Sequence, residues 1–143
     1  MAEVSPPNPV PVMMPTRGEE GILEAMKSEA SRILRSILEP PEKFLRVVAS
    51  KSHLSEETQA FIDELAKTTG HIEQVSKGSS LKLCMVAEGE ADIYPRLGPT
   101  MEWDTAAAHA VVLGAGKRVN QFGLELPLRY NKPDLLNPWF VVS

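Results

Sequence analysis

Three short stretches of the chain hold residue types that can do chemistry. KGSSLK, residues 77–82, places a glycine, two serines and a lysine where a helix begins. A helix start offers unpaired N–H groups and the positive end of the helix dipole, which together suit an anion. Lys82 adds a positive charge in the first turn. Read locally, the plainer assignment is a serine N-cap with a lysine facing solvent, and composition alone favours it. The spacing is not that of a Walker phosphate loop. VASKSH, residues 48–53, runs off a strand end, and Ser50, Ser52 and His53 are placed to hydrogen-bond a ligand there. The competing assignment is a polar turn. WDTAAAHA, residues 103–110, puts Asp104 at the head of an alanine-rich helix. Aspartate is among the best N-caps, and a carboxylate at that place could also hold a hard cation such as Mg²⁺.

Each stretch depends on the element that carries it. Pro6, Pro7, Pro9, Pro11 and Pro15 deny residues 1–17 a helix or a regular strand, so an extended arm is expected. Ile22, Leu23, Met26, Ala30, Ile33, Leu34 and Ile37 recur at helical spacing and predict an amphipathic helix over 19–38, stopped by Pro40 and Pro41. From there strands and helices alternate. Strands are expected at 44–49, 71–76, 91–95, 117–121 and 139–143. Helices are expected from Ser55 to about Lys67, from Gly78 to Ala87 and from Asp104 to about Leu113. Residues 131–138 read as a loop. This alternation implies an α/β layered domain with a mixed or parallel sheet and flanking helices.

Composition narrows the classes of function. The chain has 143 residues and fits one domain with one core. The net charge of −4 carries no basic stripe, so no nucleic-acid polymer is expected as a partner. No run approaches the roughly 18 apolar residues of a membrane span, and residues 1–20 lack the pattern of a secretory signal. The single cysteine, Cys84, reads as a core residue of a cytoplasmic protein. His71 and His109 are isolated and read as structural. There is no HExxH, no cysteine pair for zinc and no recognisable triad.

Taken together, SKSH at 50–53, GSSLK at 78–82, AEGEADIYPR at 87–96, WDTAA at 103–107 and YNKPDLLNPWFVVS at 130–143 resemble the C-terminal half of the CysQ-type 3'(2'),5'-bisphosphate nucleotidases, within the inositol monophosphatase superfamily. The resemblance runs from about Glu39 to Ser143 and divides the chain into an arm and helix at 1–38 and an inositol monophosphatase-like domain at 39–143. It implies a Mg²⁺-dependent hydrolysis of 3'-phosphoadenosine 5'-phosphate to AMP and phosphate. It implies a metal-binding role for Asp104, and puts Ser52, His53, Ser79, Ser80, Lys82 and Asp104 against the substrate. GSSLK with YPR points away from inositol phosphatases, which stand as an alternative.

The chain also departs from the family pattern. Such proteins carry a metal-binding glutamate and a D-P-x-D-G-T signature in an N-terminal half. Here the only aspartates are Asp63, Asp92, Asp104 and Asp134, and none precedes a proline. GEEG and KSEASRI, at 18–21 and 27–33, echo a strand-and-loop region of the family, yet their own periodicity is helical. The expected behaviour is therefore a nucleotidase that needs another chain for its N-terminal half, or a non-catalytic binding module. Apolar surface left bare is expected to be covered in part by the 19–38 helix and further by self-association.

Overall fold

The computed structural model describes residues 19–37, 44–50, 52, 54–76 and 81–143. The expected arm at 1–17, the prolines at 40 and 41, and the residues His53, Ser79 and Ser80 lie outside the described residues.

Helix α1 (Glu19–Ile37) forms where the 3.6-residue periodicity predicts it. Met26, Ala30, Ile33 and Leu34 point inward along one stripe. Helix α2 (Glu56–Thr69) packs beside it and contributes Phe61, Ile62 and Leu65. Its ends follow from local chemistry. Ser55 is the N-cap and accepts from the Thr58 N–H, while Gly70 closes the helix in the left-handed region at φ 77°.

Strand β1 (Leu45–Ala49) alternates its side chains between two cores. Leu45, Val47 and Ala49 face α1 and α2, and Val48 faces the opposite side. Such a strand, covered on both faces, is apolar at every position but Arg46. Strand β2 (Ile72–Ser76) pairs with β1 in parallel, from Leu45 beside Ile72 to Ala49 beside Ser76. Helix α3 (Leu81–Ala87), strand β3 (Tyr94–Arg96), helix α4 (Glu102–Gly114), strand β4 (Val119–Gln121) and strand β5 (Phe140–Val142) complete the chain. Helices α3 and α4 pack against each other, over a second core that includes Val48, Val86, Tyr94, Val112, Phe140 and Val142. The result is three layers, α1 and α2 on one face, α3 and α4 on the other.

The sheet is mixed, as expected, but it is not one continuous ladder. β1 and β2 are parallel, and β3, β5 and β4 form an antiparallel group in that order. The two groups meet at Ile93, which bridges Val47 in parallel, with its carbonyl accepting from the Val48 N–H at 3.0 Å. Several expected boundaries also move, β4 starting at Val119 instead of at residue 117. The strand expected at 91–95 is instead Tyr94–Arg96. Asp92 turns aside because its carboxylate accepts from the Arg46 backbone N–H at 2.8 Å and pairs with the Arg46 guanidinium. The last helix starts at Glu102, not Asp104, with Met101 as its N-cap. Asp104 therefore sits in the third helical position.

Candidate functional site

Chain direction gathers the relevant segments. β1 and β2 are parallel, so the segments following Ala49 and Ser76 leave the sheet side by side. The Ser76 hydroxyl donates to the Ala49 carbonyl at 3.4 Å across that edge. β3 follows the parallel bridge at Ile93, so Arg96 ends at the same edge. Leu97 to Met101 then lead into α4. Carboxyl ends of strands are where open α/β sheets take ligands.

Ser50 is buried and Ser52 is exposed at this edge. Lys82, the second residue of α3, does not face solvent as the local reading had it; it is 4% exposed. Its Nζ lies 5.8 Å from the centre of the Tyr94 ring, a cation–π contact. Burial, and next the charge of Arg96, lower the Lys82 pKa from its ordinary value. Arg96 donates from Nη2 to the Pro99 carbonyl at 3.4 Å, while its buried Nε has no hydrogen-bond partner among the described residues. Burial raises the Tyr94 hydroxyl's pKa, against a smaller pull downward from Arg96.

Lys82 and Arg96 thus stand close enough to repel, and among the described residues neither pairs with a carboxylate. Two cations without an anion are costly in a partly buried place. An anion between them removes that cost, and a guanidinium with an unused N–H suits a phosphate oxygen. The sequence reading missed Arg96. Its signal was the YPR tripeptide, a basic residue directly after a buried Tyr94 and Pro95 at a strand end.

Asp104 is exposed, and its Oδ2 accepts from the Met101 backbone N–H at 2.9 Å. So it does satisfy an orphan donor of the helix start, from inside the first turn instead of from the cap position. Glu102, beside it, is committed elsewhere. Its carboxylate accepts from the backbone N–H of Asn131 at 2.7 Å, the backbone N–H of Lys132 at 3.1 Å and Lys132 Nζ at 2.5 Å. These bonds, that from the Lys132 side chain first, hold its pKa below the ordinary carboxylate value. Asn137 donates from Nδ2 to Thr100 Oγ1, the Met101 carbonyl and Thr105 Oγ1, at 3.1, 2.9 and 3.1 Å. These contacts bind the 130–137 segment to the start of α4 and fix where Asp104 projects.

His109 is buried. Its Nδ1 lies 2.7 Å from the Tyr130 hydroxyl, which donates to Thr105 Oγ1 at 3.2 Å. Cys84 is half-buried against the second core. His71 stacks on Phe44 with ring centres 4.9 Å apart.

A Mg²⁺ ion needs near-octahedral oxygen ligation, normally with more than one carboxylate or phosphate. Among the described residues no group of three His, Cys, Asp or Glu could hold a metal ion. One Asp104 oxygen is already used by Met101. The described residues therefore do not make a metal site by themselves.

Among the described residues, a three-layer α/β fold thus carries two cations without a carboxylate partner, Lys82 and Arg96, at the carboxyl edge of its sheet. The chain belongs to the inositol monophosphatase family, whose sequence model matches residues 25–139. Among curated relatives, it is 47% identical over 98 residues to the 3'(2'),5'-bisphosphate nucleotidase CysQ of Escherichia coli K12, covering 68% of this chain and 38% of that one. To the CysQ of Salmonella typhimurium it is 42% identical over 97 residues, with the same coverage. Among solved structures, CysQ from Bacteroides thetaiotaomicron superposes with a TM-score of 0.69 at 58% identity, over 71% of this chain and 38% of that one. The chain thus spans less than half the length of these relatives. Among the described residues no helix is long and apolar enough to cross a membrane.

Proposed function

We propose that this chain is the phosphate-holding part of a 3'(2'),5'-bisphosphate nucleotidase and that, by itself, it does not hydrolyse its ligand. The observation that carries the reading is the pair Lys82 and Arg96, two cations side by side with no carboxylate partner among the described residues, at the edge where three strands end. The likeness to the CysQ nucleotidases supports a 3'(2'),5'-bisphosphate nucleotide as the substrate, and the sequence resemblance implies 3'-phosphoadenosine 5'-phosphate. It also supports giving Ser52, His53, Ser79, Ser80 and Asp104 places around that nucleotide. We assign residues 39–143 as the C-terminal inositol monophosphatase-like domain and the cytoplasm as its setting.

In this reading Lys82 neutralises a phosphate, and Arg96 grips the same group through its free Nε–H. The Tyr94 ring keeps the Lys82 ammonium from solvent. Asp104 contributes one carboxylate to the family's Mg²⁺ chemistry.

Calorimetry with 3'-phosphoadenosine 5'-phosphate tests binding, and phosphate release with and without Mg²⁺ tests chemistry. Expected are measurable binding, its loss in the double variant Lys82→Met/Arg96→Met, and no release above background. Tighter binding of an inositol monophosphate than of the nucleotide would move the assignment to an inositol phosphatase. Metal-dependent release by the pure chain, abolished by Asp104→Asn, would overturn the non-catalytic reading.

A further inference from the structure

β3 stops at Arg96, which stands beside Phe140 in the sheet. Leu97 follows outside the ladder, yet it is fully buried. Its backbone N–H and carbonyl must still find partners away from water. Both find them on the first turn of α2. The Leu97 N–H donates to Thr58 Oγ1 at 3.1 Å, and the Leu97 carbonyl accepts from Ser55 Oγ at 2.6 Å. The two hydroxyls lie 2.8 Å apart.

Each hydroxyl has one hydrogen to give. That of Ser55 goes to the Leu97 carbonyl, so Thr58 is the donor in the contact between the hydroxyls. The bonds therefore close a ring, from Leu97 to Thr58, from Thr58 to Ser55, and from Ser55 back to Leu97. Bonds linked in this way polarise one another, and here they fix both backbone groups of one residue. Capping α2 does not require the ring. Ser55 caps the helix by accepting from the Thr58 N–H. In a capping box the third helical position holds a Glu or Gln that reaches back to the cap. Thr58 occupies that position, 5% exposed, and its hydroxyl serves Leu97 as well.

The ring holds the root of Arg96. Leu97 is the next residue, and the Arg96 side chain lies back along the same turn. Its Nη2 donates to the Pro99 carbonyl at 3.4 Å, and its Nε would stand 3.8 Å from a Cβ added at Gly98. The guanidinium is thus set against the backbone of residues 98 and 99, which Leu97 anchors.

We propose that Thr58 and Ser55 are positioning residues of the phosphate site, their hydroxyl ring on Leu97 setting the place of the Arg96 guanidinium beside Lys82. This role rests on the reading of Lys82 and Arg96 as the phosphate-holding pair.

Calorimetric titration with 3'-phosphoadenosine 5'-phosphate, run as a double-mutant cycle, tests it. Thr58→Val keeps the shape and removes the hydroxyl. Affinity is expected to fall about tenfold, because the guanidinium is no longer preorganised. Thr58→Ser, which keeps the hydroxyl, is expected to restore it. In an Arg96→Met background, where Lys82 still binds, Thr58→Val is expected to cost nothing further, since the side chain it places is gone. An equal loss in both backgrounds marks a merely structural role and overturns the proposal. So does Thr58→Val binding as tightly as the unchanged chain, or Thr58→Ser binding as weakly as Thr58→Val. Circular dichroism checks that Thr58→Val folds; if it does not, Ser55→Ala opens the ring at its other hydroxyl and is read in the same cycle. Binding that Arg96→Met leaves unchanged, or no binding by the unchanged chain, overturns the reading of the pair itself. Binding weakened by Arg96→Met but not by Thr58→Val overturns the role of the ring alone.

Discussion

Lys82 Nζ sits 5.8 Å above the Tyr94 ring, buried on α3, with the Arg96 guanidinium near enough to depress its pKa. The side chain is held where a charge is costly, and the fold supplies no carboxylate among the described residues to offset it. Lys82→Met keeps the apolar stem and removes the charge. Its thermal midpoint is expected to rise, while phosphate affinity falls about tenfold or more, about 1.4 kcal/mol. Thermal melts with and without phosphate separate the two effects. A variant that is less stable yet binds phosphate undiminished removes Lys82 from the site.

Asn137 is 1% exposed and serves Thr100, Met101 and Thr105 at once. Asn137→Ala leaves those acceptors without their donor and opens space behind them. The expected loss is about 2–3 kcal/mol by urea denaturation. A loss well below 1 kcal/mol would show that solvent replaces the amide.

His109 gives the chain a pH dependence. Burial lowers its pKa from the ordinary 6.5. The unfolded chain therefore takes up a proton at a higher pH than the folded chain does. Stability contributed by neutral His109 is complete above about 6.5 and is lost as the pH falls from there toward the folded pKa. His109→Gln should flatten the stability profile below that pH. An unchanged acid limb in the variant would trace the dependence to other groups.

The ends of α2 respond to opposite backbone chemistry. Ser55 Oγ accepts from the Thr58 N–H at 3.1 Å and donates to the Leu97 carbonyl at 2.6 Å. Ser55→Ala is expected to cost about 1–2 kcal/mol. Gly70 has φ 77°, and an added Cβ would meet nothing within 4 Å. Gly70→Ala is thus expected to cost about 1–2 kcal/mol from backbone strain alone, and Gly70→Asn less, since asparagine tolerates that region. Equal stability of the Ala and Asn variants, measured by denaturant titration, would remove backbone strain as the cause.

What the sequence alone determined was local. The stripe Met26, Ala30, Ile33 and Leu34 made α1 a helix, against its echo of a strand-and-loop region, because helical periodicity is carried by the segment itself. Ser55 and Gly70 bounded α2 for the same reason, since caps act within one turn. Other features needed distant partners. Asp104 looked like the start of α4, yet the helix begins earlier because the Leu135 carbonyl accepts the Glu102 N–H at 2.9 Å and Asn137 ties down the Met101 carbonyl. Asp92 left its expected strand to serve Arg46, 46 positions away in the chain. Arg96 and the burial of Lys82 acquired meaning only when parallel pairing of β1 with β2, and the bridge from Val47 to Ile93, brought three strand ends to one edge. Periodicity and capping are properties of neighbours along the chain. The convergence of charges is a property of neighbours in space, and only the packed sheet decides it.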